Sequence, residues 1–117
     1  MGESILQLSA LRGAQATALR FGPDFVEFGF GAESVRIFGG LEFRARGFHI
    51  SRAEAGWRDA VCSLIGDSVS EIDLTSQAVV NVVFKSGARL SIDIGNGGQA
   101  GSESMQYIKR GQLEVSW

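Results

Sequence analysis

Few residues in this chain have side chains suited to chemistry. His49 is its only histidine and Cys62 its only cysteine. General acid–base catalysis often uses histidine, and serine, arginine and glutamate lie near His49 in sequence. No second histidine and no spaced carboxylate pair accompanies it, so a structural or surface histidine is the expectation. One histidine and one cysteine do not make a usual zinc set, and no Asp-x-Asp-x-Asp loop offers a calcium site. The stretch Gly95-Asn96-Gly97-Gly98-Gln99-Ala100 fits the letters of a dinucleotide fingerprint, G-x-G-x-x-A. That fingerprint works only between a strand and a helix of a parallel βαβ unit. The segment that follows here reads as a strand or a short turn of helix, and the preceding strand belongs to a hairpin, so a loop is expected. Glu103, at the mouth of that loop, caps backbone N–H groups or serves as a contact on a presented loop. No catalytic, cofactor or metal set is expected, and the chain reads as a protein that is not an enzyme.

The elements that hold these residues show a repeat. Leu11-Arg12-Gly13, then Ala16, Leu19 and Phe21, matches Leu64-Ile65-Gly66, then Val69, Ile72 and Leu74. Val26, Phe28 and Phe30 match Val80, Val82 and Phe84, and Val35 and Ile37 match Leu90 and Ile92. The spacing slips by one residue wherever a turn is expected. In each half, apolar residues alternate with polar ones as in half-buried strands. Turns are expected at Gly22-Pro23-Asp24, Gly31 to Ser34, Thr75-Ser76-Gln77 and Lys85-Ser86-Gly87. Extra strands are expected around Leu41 to Ala45, from Ser104 to Arg110, and from Leu113 to Trp117.

A central helix is predicted at 51–65. Ser51 and Glu54 fit a capping box, and Ala53, Trp57, Ala60, Val61 and Leu64 recur at helical spacing. Gly66 stands where a helix C-terminus favours glycine, and Gly56 would weaken the interior. Cys62, among apolar neighbours, reads as a buried, inert thiol. The segment before Gly13 is a short N-terminal helix by analogy with the second half, or a strand by its own alternation. The fold class expected is α+β, mostly antiparallel β. Two tandem β-meander repeats (11–50 and 64–117) share one core within a single domain spanning 1–117.

With 117 residues, the chain is long enough to bury such a core. A net charge of -2 leaves no broad footprint for nucleic acid. Arg36, Arg44, Arg46, Arg52 and Arg58 form a local basic region, interrupted by Glu42 and Glu54. No apolar run approaches the ~18 residues of a membrane helix, and no signal-peptide pattern opens the chain. A cytoplasmic protein without membrane or nucleic-acid partners is expected.

The string Leu64-Ile65-Gly66, Val69, Ile72, Val82-Val83-Phe84, Ser86-Gly87, Leu90, Ile92 and Glu103-Ser104 resembles small uncharacterised bacterial β-rich domains. Some of these are similar to immunity proteins of polymorphic toxin systems. The resemblance covers roughly residues 55–110, with a fainter echo in the first half. It implies a non-enzymatic, cytoplasmic domain that binds a partner protein, and it carries no residue role with it.

Phe25, Phe38, Val79 and Val83 do not fit the inward set, and Trp117 stands at the terminus, so a second face needs cover from a helix or another chain. The expected function is a protein-interaction module, toxin-immunity-like in its closest form, with Phe38, Arg44, Arg46, Gln99 and Glu103 as partner contacts. Alternatives are a small-ligand-binding β domain, with Arg20, His49, Tyr107 and Glu103 lining a concave face, or a dimerising structural subunit that forms a homodimer.

Overall fold

The computed structural model describes residues 9–23, 25–38, 40–45, 47–52, 54–76, 79–93, 105–109 and 112–116. Short antiparallel strands dominate it. The first half supplies β1 (Ala18–Phe21), β2 (Val26–Phe30), β3 (Glu33–Ile37), β4 (Leu41–Ala45) and β5 (Phe48–Ser51). The second supplies β6 (Val69–Ser76), β7 (Val79–Phe84), β8 (Arg89–Asp93), β9 (Met105–Lys109) and β10 (Gln112–Ser116). One helix, α1 (Trp57–Cys62), lies between them, and a 3-10 turn at Ser9–Leu11 precedes β1. Residues 1–8 of the expected N-terminal helix lie outside the described residues.

The strands form two five-stranded sheets, ordered β1-β2-β3-β9-β10 and β5-β4-β8-β7-β6. Each sheet therefore takes a three-strand meander from one half and a hairpin from the other. In the first, β3 pairs with β9, with Ile37 opposite Met105 and Val35 opposite Tyr107. In the second, β8 pairs with β4, with Ile92 opposite Leu41 and Leu90 opposite Phe43. The sequence pattern sets which face is buried but says nothing of this crossing, because alternation is blind to the identity of the neighbouring strand.

Alternation sends Val26, Phe28, Phe30, Val35 and Ile37 inward from the first sheet. Val80, Val82, Phe84, Leu90 and Ile92 come inward from the second, and the two sets share one core. A cavity of about 20 Å³ with an apolar lining lies between them. A register shift between Val69 and Glu71 lets both Val69 and Ile72 point inward, a change of parity that only a bulge permits. Of the expected turn at Thr75-Ser76-Gln77, Thr75 and Ser76 belong to β6, and Gln77 lies outside the described residues.

Where the two halves meet, they exchange backbone hydrogen bonds. Gly13 N donates to Val69 O and Gly66 N to Ala16 O, both at 2.7 Å. Ala16 N donates to Asp67 O and Val69 N to Ala14 O, both at 2.8 Å, around a bridge between Gln15 and Ser68.

The helix is shorter than expected. The capping-box contact forms, with Ser51 N donating to Glu54 Oε1 at 2.5 Å, but Ser51 ends β5. Gly56 has φ +88, a left-handed conformation that breaks helical geometry and delays the first turn to Trp57. Val61 and Leu64 are fully buried, whereas Trp57 and Ala60 only flank the core. Cys62 is exposed. It falls off the stripe formed by Trp57, Val61 and Leu64, so the expectation of a buried thiol does not hold.

Candidate functional site

The outer face of the first sheet carries arginine and phenylalanine where a solvated sheet would carry mixed polar residues. Register places Glu27 on β2 between Arg20 on β1 and Arg36 on β3. Arg20 Nη2 donates to Glu27 Oε1 at 2.8 Å. Arg36 reaches the same oxygen through Nε at 2.9 Å and Nη2 at 2.8 Å. The Glu27 side chain is 17% exposed. Burial alone would raise its pKa. The hydrogen bonds and positive charges of Arg20 and Arg36 outweigh that and hold it below the usual carboxylate value.

Phe25, in the turn before β2, lies under both guanidinium groups, 4.6 Å from Arg36 and 5.6 Å from Arg20. Its ring meets Phe38 edge-on at 5.8 Å. A Cβ at Gly22 would run into the Phe25 ring, so glycine is what lets this ring fold back over the turn. Arg52, just past β5, donates to the carbonyls of Phe38 at 3.3 Å and Ile37 at 3.5 Å. Its guanidinium also lies 5.9 Å from the Trp57 ring. Trp57 in turn meets Phe21 edge-on at 5.7 Å, and Arg58 lies 5.2 Å over Phe21. Arg20, Arg36, Phe25 and Phe38 thus form one aromatic–basic cluster on the outer face, whereas Phe21, opposite inward-facing Val26, packs with Trp57 against the core beside Arg58, and Arg52 reaches both groups. Stacking on rings and bonding to carbonyls hold the guanidinium groups in place, which reduces the entropy they lose on meeting a partner.

The second sheet presents a different face. Arg44 on β4 lies between Arg89 on β8 and His49 on β5. Glu42, one pair further along, approaches Arg44 at 3.7 Å and His49 Nε2 at 3.2 Å. Behind it, Asn81 is buried and its Oδ1 accepts a hydrogen bond from Ser91 at 2.6 Å. Among the described residues no group of His, Cys, Asp and Glu could hold a metal ion, and no helix is long and apolar enough to cross a membrane.

Of the expected partner contacts, Phe38 follows β3 of the first sheet and Arg44 lies in β4 of the second. Arg46, Gln99 and Glu103 are outside the described residues, as are Gly95 to Ala100 and Trp117. The expected polar lining is likewise split, with Arg20 in β1 of one sheet and His49 in β5 of the other. Val79 and Val83 are half-buried on the outer side of β7. Sequence reasoning marked Phe25 and Phe38 as outward apolar residues but missed their union with Arg20, Arg36, Arg52 and Trp57. The available signal was arginine at the outward positions of β1 and β3, beside phenylalanines that fit neither face.

Comparison of the chain with protein-family models, curated proteins and solved structures finds no match to any of them. The described residues define an antiparallel β protein with two sheets and one short helix among them.

Proposed function

We propose that this chain is a non-enzymatic protein-interaction module, and that the aromatic–arginine surface of the first sheet is its docking face. The observation that carries this reading is the joining of Phe25 and Phe38 with Arg20, Arg36 and Arg52. Aromatic residues and arginine are the types that dominate binding energy at interfaces. The partner is a protein with an acidic rim and an apolar centre. A toxin held by an immunity-like domain is the most specific form of this reading, in line with the resemblance in residues 55–110, and a cytoplasmic setting suits a lone cysteine.

The scaffold under this face is proposed to be an internal duplication, with 11–50 and 64–117 as its copies. The two strand orders correspond term by term, and the hydrogen bonds of Gly13 and Gly66 are each other's counterparts. At the counterparts of Arg20, Phe25 and Phe38 the second half has Asp73, Val79 and Asp93. The aromatic–basic character belongs to one copy alone, as expected when one face has been recruited for binding.

Affinity capture from the source cells tests the function. Wild-type protein should retain a partner that a variant carrying Phe38→Ser and Arg36→Glu does not, with both proteins folded by circular dichroism. Identical captured sets would end this reading. Light scattering on the purified chain separates a foreign partner from a second copy, because a homodimer built on this face would dissociate in the same variant.

A further inference from the structure

The outer face of the second sheet carries the charged row of the first in altered form. On the first sheet, register lines up Arg20, Glu27 and Arg36. On the second, the matching positions of β6, β7 and β8 are Asp73, Asn81 and Ser91, also in register. Ser91 Oγ donates to Asn81 Oδ1 at the place where Arg36 donates to Glu27. Phe25 and Phe38 flank the first row. Val79 and Asp93 flank the second, directly opposite each other. Alternation puts these second-sheet side chains on the outer face, because their neighbours Ile72, Val80 and Ile92 are buried in the core. Asp73 and Asp93 are exposed, and Val79, on the strand between them, is half-buried. Two arginines against one glutamate leave the first surface positive. Two aspartates beside a neutral pair leave the second negative around an apolar centre. The basic groups of the second sheet, Arg44, Arg89 and His49, are aligned with one another a row further on.

We infer that the aromatic–arginine face of one copy of this chain docks on the surface formed by Asp73, Val79 and Asp93 of a second copy. For one of its two surfaces, this rests on the docking face proposed above. That face calls for a partner with an acidic rim and an apolar centre, and the second sheet has a surface of that chemistry. Each surface spans three strands, β1-β2-β3 or β6-β7-β8, so the opposite charges are spread over equal widths, which is what electrostatic complementarity requires. The inner faces of the two sheets share one core, so the two surfaces lie on opposite sides of the molecule. A contact between unlike surfaces is head-to-tail. Each copy added leaves one face open, and the assembly does not close as a twofold dimer. Self-association also covers the docking face, so a foreign partner has to displace a second copy.

The test is sedimentation velocity of the whole chain from ~10 μM to ~1 mM, in low and in high salt. Wild type should associate with a Kd on the order of 100 μM into species that continue past the dimer. Salt at ~0.5 M should weaken this about tenfold. Two variants, each folded by circular dichroism, disable one surface apiece: Phe38→Ser with Arg36→Glu on the first sheet, and Asp73→Lys with Asp93→Lys on the second. Each alone should stay monomeric. Mixed in equal amounts, they should form a one-to-one pair that grows no further, since each supplies the surface that the other lacks. The inference is overturned if wild type is monomeric at the highest concentration or stops at a dimer, if either variant associates like wild type, or if the mixture stays monomeric. Affinity capture keeps the two readings apart. The Asp73→Lys, Asp93→Lys variant should retain the foreign partner, so a monomeric wild type that still captures one ends this inference and leaves the docking face standing.

Discussion

Replacing Glu27 by glutamine keeps the shape of the side chain and removes its charge. Three donor atoms, one from Arg20 and two from Arg36, converge on a single Glu27 oxygen. The Arg20 side chain is 62% exposed, and an exposed pair of this kind contributes roughly 0.2–1 kcal/mol. Arg36 is 27% exposed, so its charge-assisted contact is worth more, with an upper range of about 1.5–3 kcal/mol. Glutamine keeps one acceptor oxygen, so the expected loss at neutral pH is about 1–2 kcal/mol, or a fall in Tm of roughly 4–8 °C. The pH dependence gives the stronger test. The folded-state pKa of Glu27 lies below its unfolded value, so its stabilisation is fully present above the ordinary carboxylate pKa. It disappears as pH falls through the lowered folded value. Urea denaturation of wild type and Glu27→Gln should differ at pH 7 and converge in acid. A variant as stable as wild type at pH 7, or a gap that persists unchanged in acid, would refute the argument that the charge of Glu27 holds this face together.

Three further outcomes follow from the packing. Phe28 is 1% exposed, so Phe28→Ala should cost about 3–5 kcal/mol in chemical denaturation, whereas half-buried Trp57→Ala should cost roughly half as much; the reverse order would place α1 in the core. Gly22→Ala should displace the Phe25 ring and abolish partner capture while costing only about 1–2 kcal/mol of stability, and unchanged capture would free Phe25 of any binding role. Cys62, exposed on α1, should react with a thiol reagent in the native protein as fast as in urea; strong native protection would mean that something covers it.

The inward residues of β2, β3, β7 and β8 were legible because each strand buries one face and solvates the other, which writes a period of two into the sequence. β5 was not legible: Phe48 and His49 are both exposed and only Ile50 is buried, too little alternation to register. The helix start was misplaced because the Ser51–Glu54 signal is real but serves the end of a strand, while Gly56 decides where the helix begins. The aromatic–arginine surface was half legible. Its phenylalanines stood out as misfits, but the arginines that join them come from β1, β3 and the residue just past β5, and only tertiary packing brings these together. β4 lies beside β8, with Arg44 opposite Arg89, a pairing that one-dimensional periodicity does not encode.

That pairing has a consequence for a chain made from its N-terminus on the ribosome. When β1, β2 and β3 have emerged, the open edge of β3 has no neighbour until β9 is synthesised, and β4 waits in the same way for β8. Over that interval the nascent protein displays unpaired strand edges beside apolar faces, the conditions under which chains join one another instead of themselves. β9 and β10 act as a closing clasp, and a chain that stops before Met105 has a first sheet with nothing to seal β3.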